Sequence, residues 1–354
     1  MQDFGRYKTL IDSDIAERSQ VLTERWQREF GLESAQVLDS YLSVLSRGGK
    51  RLRGSLGMWA YAMTGGNDDV LAIHAARALE MIHAYLLVVD DVADQATARR
   101  GGPSAHTLLA SCHETENWFG DAQQFGQMQA INAGLAAQHL VMQEVAELAS
   151  ADSTKLDALR ELSAILFKTV AGQIADLNHQ AMRDVSESEI LTMMTQKTAY
   201  YSFVSPLEFG IILAGKDWSD YAWLEQWAEN IGLSFQIRDD CLGVFGDEKA
   251  TGKSNSDDLR EGKMTLLVAR ALAHGDEQQK ADLLQLLGKK DLSTAELEQA
   301  QTIIEDTGAL AYARTLGAGF AEKAVASLDK APPEHKVNAV FLKELSLNLL
   351  NRHS

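Results

Sequence analysis

An all-α fold, one domain over residues 1–354, is what this sequence predicts, and three observations carry it. Only four prolines occur in 354 residues, so few helices are interrupted. Strong helix formers, alanine, leucine, glutamate and glutamine, are plentiful. Apolar residues recur at helical spacing, whereas no period-2 run of β-branched residues marks a sheet. Hydrophobic residues make up 45% of the chain, enough for an ample core. No repeat, low-complexity segment or linker divides it.

Residues 6–30 form the first predicted helix, with Leu10, Ile11, Ile15, Leu22 and Trp26 on one face, and residues 34–46 the second. GGKRLRG (48–54) then breaks the pattern, its glycines giving backbone freedom beside Lys50, Arg51 and Arg53. Such a stretch suits an anion near a helix start, and equally an ordinary basic turn. Helices follow at 55–64 and 70–94. The second is apolar from Met81 to Val89 apart from His83, then delivers Asp90, Asp91 and Asp94. Asp90 and Asp94 fall one turn apart, on a face shared with His83 and Leu87. Carboxylate oxygens so spaced suit Mg²⁺. Arg99 and Arg100 precede a Gly-Gly-Pro turn and carry the guanidinium forks that grip diphosphate. A solvated acidic helix end beside a salt-bridging arginine pair is the plain alternative.

Residues 107–124 read as irregular, and helices resume at 125–149 and 154–181. Gln173 and Asp176 share a face of the latter and read as a helix cap or a surface pair. A helix over 188–213 carries KTAYYSF (197–203), with Pro206 predicted to kink it. Lys197 in so apolar a stretch seeks an anionic partner or reaches water along its stem. The next helix, from about Tyr221, carries Phe235, Gln236, Asp239 and Asp240. The polar stretch after Gly246 reads as a long loop holding Lys253 and Lys263, of a length at which loops act as lids. Residues 266–350 read as further helices.

The formal charge of −17 argues against nucleic acid as a partner. Cys112 and Cys241 are too few for a disulfide framework and fit a reducing, cytoplasmic setting. The N-terminal residues lack the basic, apolar and small-residue order of a signal peptide. The longest apolar runs are about half of the roughly 20 residues that span a bilayer, so no transmembrane segment is expected.

Taken in order, GGKRLRG, DDVAD, RRGGPSAH, GQIAD, KTAYYSF and FQIRDD with its following GD, TGK and DDLREGK resemble the trans-isoprenyl diphosphate synthases. That family includes the farnesyl and geranylgeranyl diphosphate synthases. The likeness runs over roughly residues 40–270, and the second aspartate motif looks most like the actinobacterial-type members. It implies a helical bundle around a central cavity, a homodimer, and three Mg²⁺ ions bound together with substrate. By this resemblance Asp90, Asp94 and Asp239 hold metal, with Asp91 and Asp240 in support. Arg99, Lys197 and Lys253 complete the grip on an allylic diphosphate, and Lys263 also binds substrate. Isopentenyl diphosphate is held by Lys50, Arg53, His83 and Arg100, while Thr198 and Gln236 steady the allylic cation. Closure of the 246–263 loop keeps out water.

Three positions depart from the family pattern. Gly243 stands where an aspartate is common, Leu135 follows Gly134 where Gly-Asp is common, and Val89 replaces a frequent histidine. Tyr85 lies five residues before Asp90, roughly 7–8 Å along the helix axis, and is expected to floor the product cavity. The expected product is geranylgeranyl diphosphate, with farnesyl diphosphate second. A class I terpene cyclase is an alternative, opposed by GGKRLRG and the second arginine. A non-catalytic partner subunit is another; it would be expected to lose aspartates or basic residues that this chain keeps.

Overall fold

The structure is a computed structural model, and it describes residues 4–246 and 255–350. In chain order the helices begin with α1 (Phe4–Phe30), α2 (Leu32–Ser46), α3 (Leu52–Met63) and α4 (Asp69–Ala93). A small hairpin follows, β1 (Ala98–Arg99) and β2 (Gly102–Pro103), then α5 (Ala105–Thr115), α6 (Ala122–Ala146), α7 (Asp152–Met182) and α8 (Glu187–Met194). A π-helix spans Thr195–Val204 and runs into α9 (Ser205–Leu213). The remainder comprises α10 (Ala222–Phe245), α11 (Asp257–Glu261), α12 (Leu266–His274), α13 (Glu277–Leu286), α14 (Thr294–Asp306), α15 (Ala309–Ser327) and α16 (Lys336–Leu350). The all-α expectation holds. Among the described residues the two-residue hairpin is the only sheet.

The chain groups into two compact units, one formed by Met1–Glu161 with Pro206–Asp217, the other by Leu162–Ser205 with Trp218–Ser354. The sequence shows no linker because two of the three crossings lie within helical stretches, inside α7 and at the π-helix junction with α9. Such points carry none of the Gly, Pro and Ser enrichment that marks a linker.

In the first unit α4 is the central helix, packed by α1, α2, α3, α5 and α6. Its apolar residues surround most of its circumference, so burial on several sides is the stable outcome. Among the described residues it is the one helix long and apolar enough to cross a membrane, and 67% of that window is buried inside the protein. A paired ionic layer ties the unit together. Arg18 and Arg77 share the buried Glu144, and buried Arg51 bonds Asp12 at 2.7 Å. Each cation has a partner, as buried charge requires.

In the second unit α10 packs against the π-helix and α15. Residues 107–124, read as irregular, contain most of α5. Its inward face uses His106 and His113 beside Leu109 and Ala110, and buried histidines do not register in an apolar pattern. Pro206 stands at the second position of α9, where its missing N–H removes a backbone bond, and the π-turn lies directly before it.

Candidate active site

Within the first unit, the acidic end of α4 meets two tight turns. Asp68 caps the start of α4, accepting from the Leu71 N–H at 3.0 Å. At the other end Gln95 adopts a left-handed φ of 55°, and the Ala96 N–H donates to the Asp91 carbonyl at 2.9 Å. That reversal is a Schellman cap built without glycine. Asp90 is partly exposed and Asp94 is buried, one turn apart as expected. Asp91, 0% exposed, turns to Arg99 and accepts from its Nε at 2.7 Å and from its Nη2. Burial raises the Asp91 carboxyl above its usual range even with Arg99 beside it. Asp91 therefore anchors Arg99 rather than standing open beside Asp90.

The hairpin pairs Ala98 with Pro103 and Arg99 with Gly102. Its turn residues, Arg100 and Gly101, have φ of 52° and 74°, the pattern of a type I′ turn. A side-chain-bearing residue pays roughly 1 kcal/mol for that conformation, and such strain gathers at functional sites. The turn carries Arg100 to the glycine loop, where its Nη1 donates to the Gly48 carbonyl at 2.7 Å. From below, Arg47 donates to the carbonyls of Arg99 at 3.1 Å and Pro103 at 2.5 Å, and to Ser43 Oγ at 2.7 Å. Sequence reasoning passes over Arg47, although the basic run continues back to it across the two glycines.

The result is a basic group. Burial first, then the charges of Arg53, Arg100, Arg99 and Arg51, hold the His83 imidazole well below its usual range. His83 is neutral at neutral pH. Burial and then Arg51 likewise lower Arg100. Lys50 is exposed in the same loop. Arg51 is a buried structural anchor instead. Tyr85 is buried within the same helix, 6% exposed, and Leu135 is 53% exposed.

Within the second unit, Lys197 on the π-helix donates to Asp176 Oδ2 at 2.6 Å. Asp176 is only 5% exposed, which corrects its reading as a surface pair or cap: it is the anion that an apolar stretch around Lys197 requires. A Cβ at Gly172 would stand 2.8 Å from the Lys197 Cα, so this close approach of α7 depends on glycine there. Thr198 Oγ1 donates to Gln236 Oε1 at 2.8 Å, and Gln236 Nε2 donates to Asp240 Oδ1 at 2.7 Å. Burial first, and then the Asp258 carboxylate, raise the Asp240 carboxyl well above its usual range. Asp239, the next residue back, is exposed. Lys263 is held by Glu261 at 2.6 Å and by Asp258 at 3.8 Å. Lys253 lies outside the described residues, as does much of the expected lid; its described part contains α11.

The polyprenyl synthetase family model matches residues 35–304. The chain belongs to the polyprenyl synthetase family. Among its relatives in that family is the geranylgeranyl diphosphate synthase of Sulfolobus acidocaldarius, 32% identical over 88% of this chain and 89% of that one. The geranylfarnesyl diphosphate synthase of Aeropyrum pernix is 31% identical over 82% of this chain and 86% of that one. The fold is that of the geranylgeranyl pyrophosphate synthase from Corynebacterium glutamicum, a structure complexed with isoprenyl diphosphate and magnesium. That match has a TM-score of 0.88 and 26% identity, covering 97% of this chain and 98% of that one.

The donors fit a hard cation. Asp90, Asp94 and Asp239 offer only carboxylate oxygen, the ligand type Mg²⁺ prefers. Among the described residues no three acidic, histidine or cysteine side chains form a ready-made metal cage. An ion at Asp90 and Asp94, or at Asp239, would therefore take further oxygens from water and substrate, which is the habit of Mg²⁺ at phosphate sites.

Proposed function

We propose that this polyprenyl synthetase condenses isopentenyl diphosphate head-to-tail, in trans, with an allylic diphosphate to give geranylgeranyl diphosphate, with farnesyl diphosphate as the second candidate product. As a member of its family it is a short-chain isoprenyl diphosphate synthase. The observation that carries the reading is the junction in the first unit, where one arginine, Arg99, joins a cationic group to the carboxylates of α4. Two diphosphates need two kinds of grip: bare cations for one, metal-bridged carboxylates for the other.

In this reading Arg53, Arg100, Lys50 and neutral His83 hold isopentenyl diphosphate. Arg99 and Lys197, with Lys253 and Lys263, hold the allylic diphosphate. Asp90, Asp94 and Asp239 would hold Mg²⁺, whose charge makes the diphosphate a better leaving group. Thr198 and Gln236 present oxygen dipoles toward positive charge developing on the allyl group. Tyr85 floors the product cavity. The same reading carries a homodimer working in the cytoplasm.

The test is turnover. Labelled isopentenyl diphosphate is incubated with dimethylallyl, geranyl or farnesyl diphosphate, with and without Mg²⁺, and the dephosphorylated products are sized. Mg²⁺-dependent elongation to twenty carbons is expected, and Tyr85→Ala should lengthen the product. Diphosphate release from the allylic substrate without incorporation would point to a cyclase and sink the proposal.

A further inference from the structure

The face of α10 turned away from Gln236, Asp239 and Asp240 meets α15, and a cavity of about 400 Å³ lies between the two helices, a size at which small ligands bind. Its α10 wall repeats at helical spacing through Ser234, Ile237, Cys241 and Phe245, roughly half a turn around the helix from the aspartates. Small residues on α15, Ala313, Gly317 and Ala318, bring the helices close and leave space beside them; a Cβ at Gly317 would stand 3.3 Å from Ile237 Cγ2. Three polar side chains reach this apolar space. Arg238 and Arg314 line it, and among the described residues of the lining none is acidic. Arg238 uses Nη1 on the Leu349 carbonyl at 2.9 Å, which leaves the rest of its fork. Arg314 is exposed and, among the described residues, has no hydrogen bond or ion pair. Ser234 is 1% exposed, and its hydroxyl has no hydrogen-bond partner among the described residues. A buried hydroxyl left so costs free energy, and a polar group arriving with a ligand would satisfy it.

We propose that this cavity is a second prenyl diphosphate site, one that needs no metal. The choice of occupant rests on the synthase reading above, which brings molecules of this kind to the protein. Both ends of such a molecule are matched. Paired guanidiniums grip a diphosphate, and the Ser234 hydroxyl donates to one of its oxygens. Leu242 and Phe245 cover part of a branched hydrocarbon tail. Burial pushes the Cys241 thiol up to about 11, so no thiolate opposes the ligand at neutral pH. With no carboxylate in the described lining, the diphosphate charge is met by arginine rather than by Mg²⁺. Because the aspartates and this cavity occupy opposite faces of one helix, substitutions separate the two sites.

Calorimetric titration of farnesyl diphosphate in EDTA tests this on full-length protein, with excess isopentenyl diphosphate present to fill the cationic group of the first unit. Binding is expected to persist without metal. Arg314→Glu reverses a charge and Ala318→Trp fills the space, both at exposed positions. Each should weaken this binding by roughly tenfold or more, while Mg²⁺-dependent elongation at low substrate concentration keeps its wild-type rate. Farnesol and inorganic diphosphate, each offering half of the ligand, should bind roughly tenfold more weakly than farnesyl diphosphate. No binding in EDTA, wild-type affinity in either variant, or palmitate binding as tightly would overturn the proposal and leave the synthase reading intact. A protein that binds farnesyl diphosphate through Arg314 yet elongates no substrate would overturn that reading and leave the site.

Discussion

Asp240 illustrates how much a single residue concedes to function. Its carboxyl is buried, receives one hydrogen bond from Gln236, and faces the charges of Asp258, Asp239 and Asp176. Because its folded pKa is raised, the native state holds a proton that the unfolded chain releases above its ordinary value of 3.8. Stability is therefore lost as pH rises through that value toward the folded pKa. Asp240→Asn removes this cost, and in metal-free buffer at neutral pH it should raise Tm by about 2 °C or more. The gain should shrink on acidification toward pH 4, as the wild-type carboxyl becomes protonated in both states. A variant melting at or below wild type at neutral pH would show that the carboxylate is better paired than its surroundings indicate.

At the scale of elements, the hairpin between α4 and α5 sets both arginines, and Arg47 holds it. Arg47 Nη1 donates to both carbonyls while Nη2 is fixed on Ser43 Oγ, a spread of donors that a planar guanidinium offers and a lysine ammonium does not. Arg47→Ala and Arg47→Lys should both raise KM for isopentenyl diphosphate by roughly tenfold, with a smaller fall in kcat, because small displacements at a binding group cost this much. Steady-state kinetics on the two variants decides it; a wild-type KM in either would mean that the turn holds its own shape. The long helices were legible because Ile11, Ile15, Leu22 and Trp26, or Met81 to Val89, repeat at helical spacing and are buried as that spacing demands. The hairpin was not, since two residues per strand are too few to alternate. Nor was α5, where histidines take inward positions. The backbone reversal at Gln95 and the type I′ turn at Arg100 also escaped, because neither residue is the glycine or asparagine that announces a left-handed turn.

For the whole molecule, legibility divides differently. Motif order names the candidate residues, and the structure groups Arg53, His83, Arg99 and Arg100 in one unit and Thr198, Gln236 and Asp240 in the other. What the motifs could not say is which carboxylates are spent on holding cations. Asp91 is committed to Arg99, and Asp176, taken for a surface residue, to Lys197. Pairing of that kind depends on tertiary approach, as at Gly172, and leaves no periodicity to read. The division into two interleaved units also stayed hidden behind continuous helices.

The central claim is that Asp90, Asp94 and Asp239 are needed to bind an allylic diphosphate through Mg²⁺. The most direct measurement is calorimetric titration of an uncleavable allylic thiodiphosphate in Mg²⁺ into wild type, Asp94→Asn and Asp239→Asn. The account predicts one Mg²⁺-dependent site per chain, weakened by roughly tenfold or more in either variant. Two independent Mg²⁺-dependent sites, or a full-affinity Mg²⁺-dependent site surviving in either variant, would contradict it.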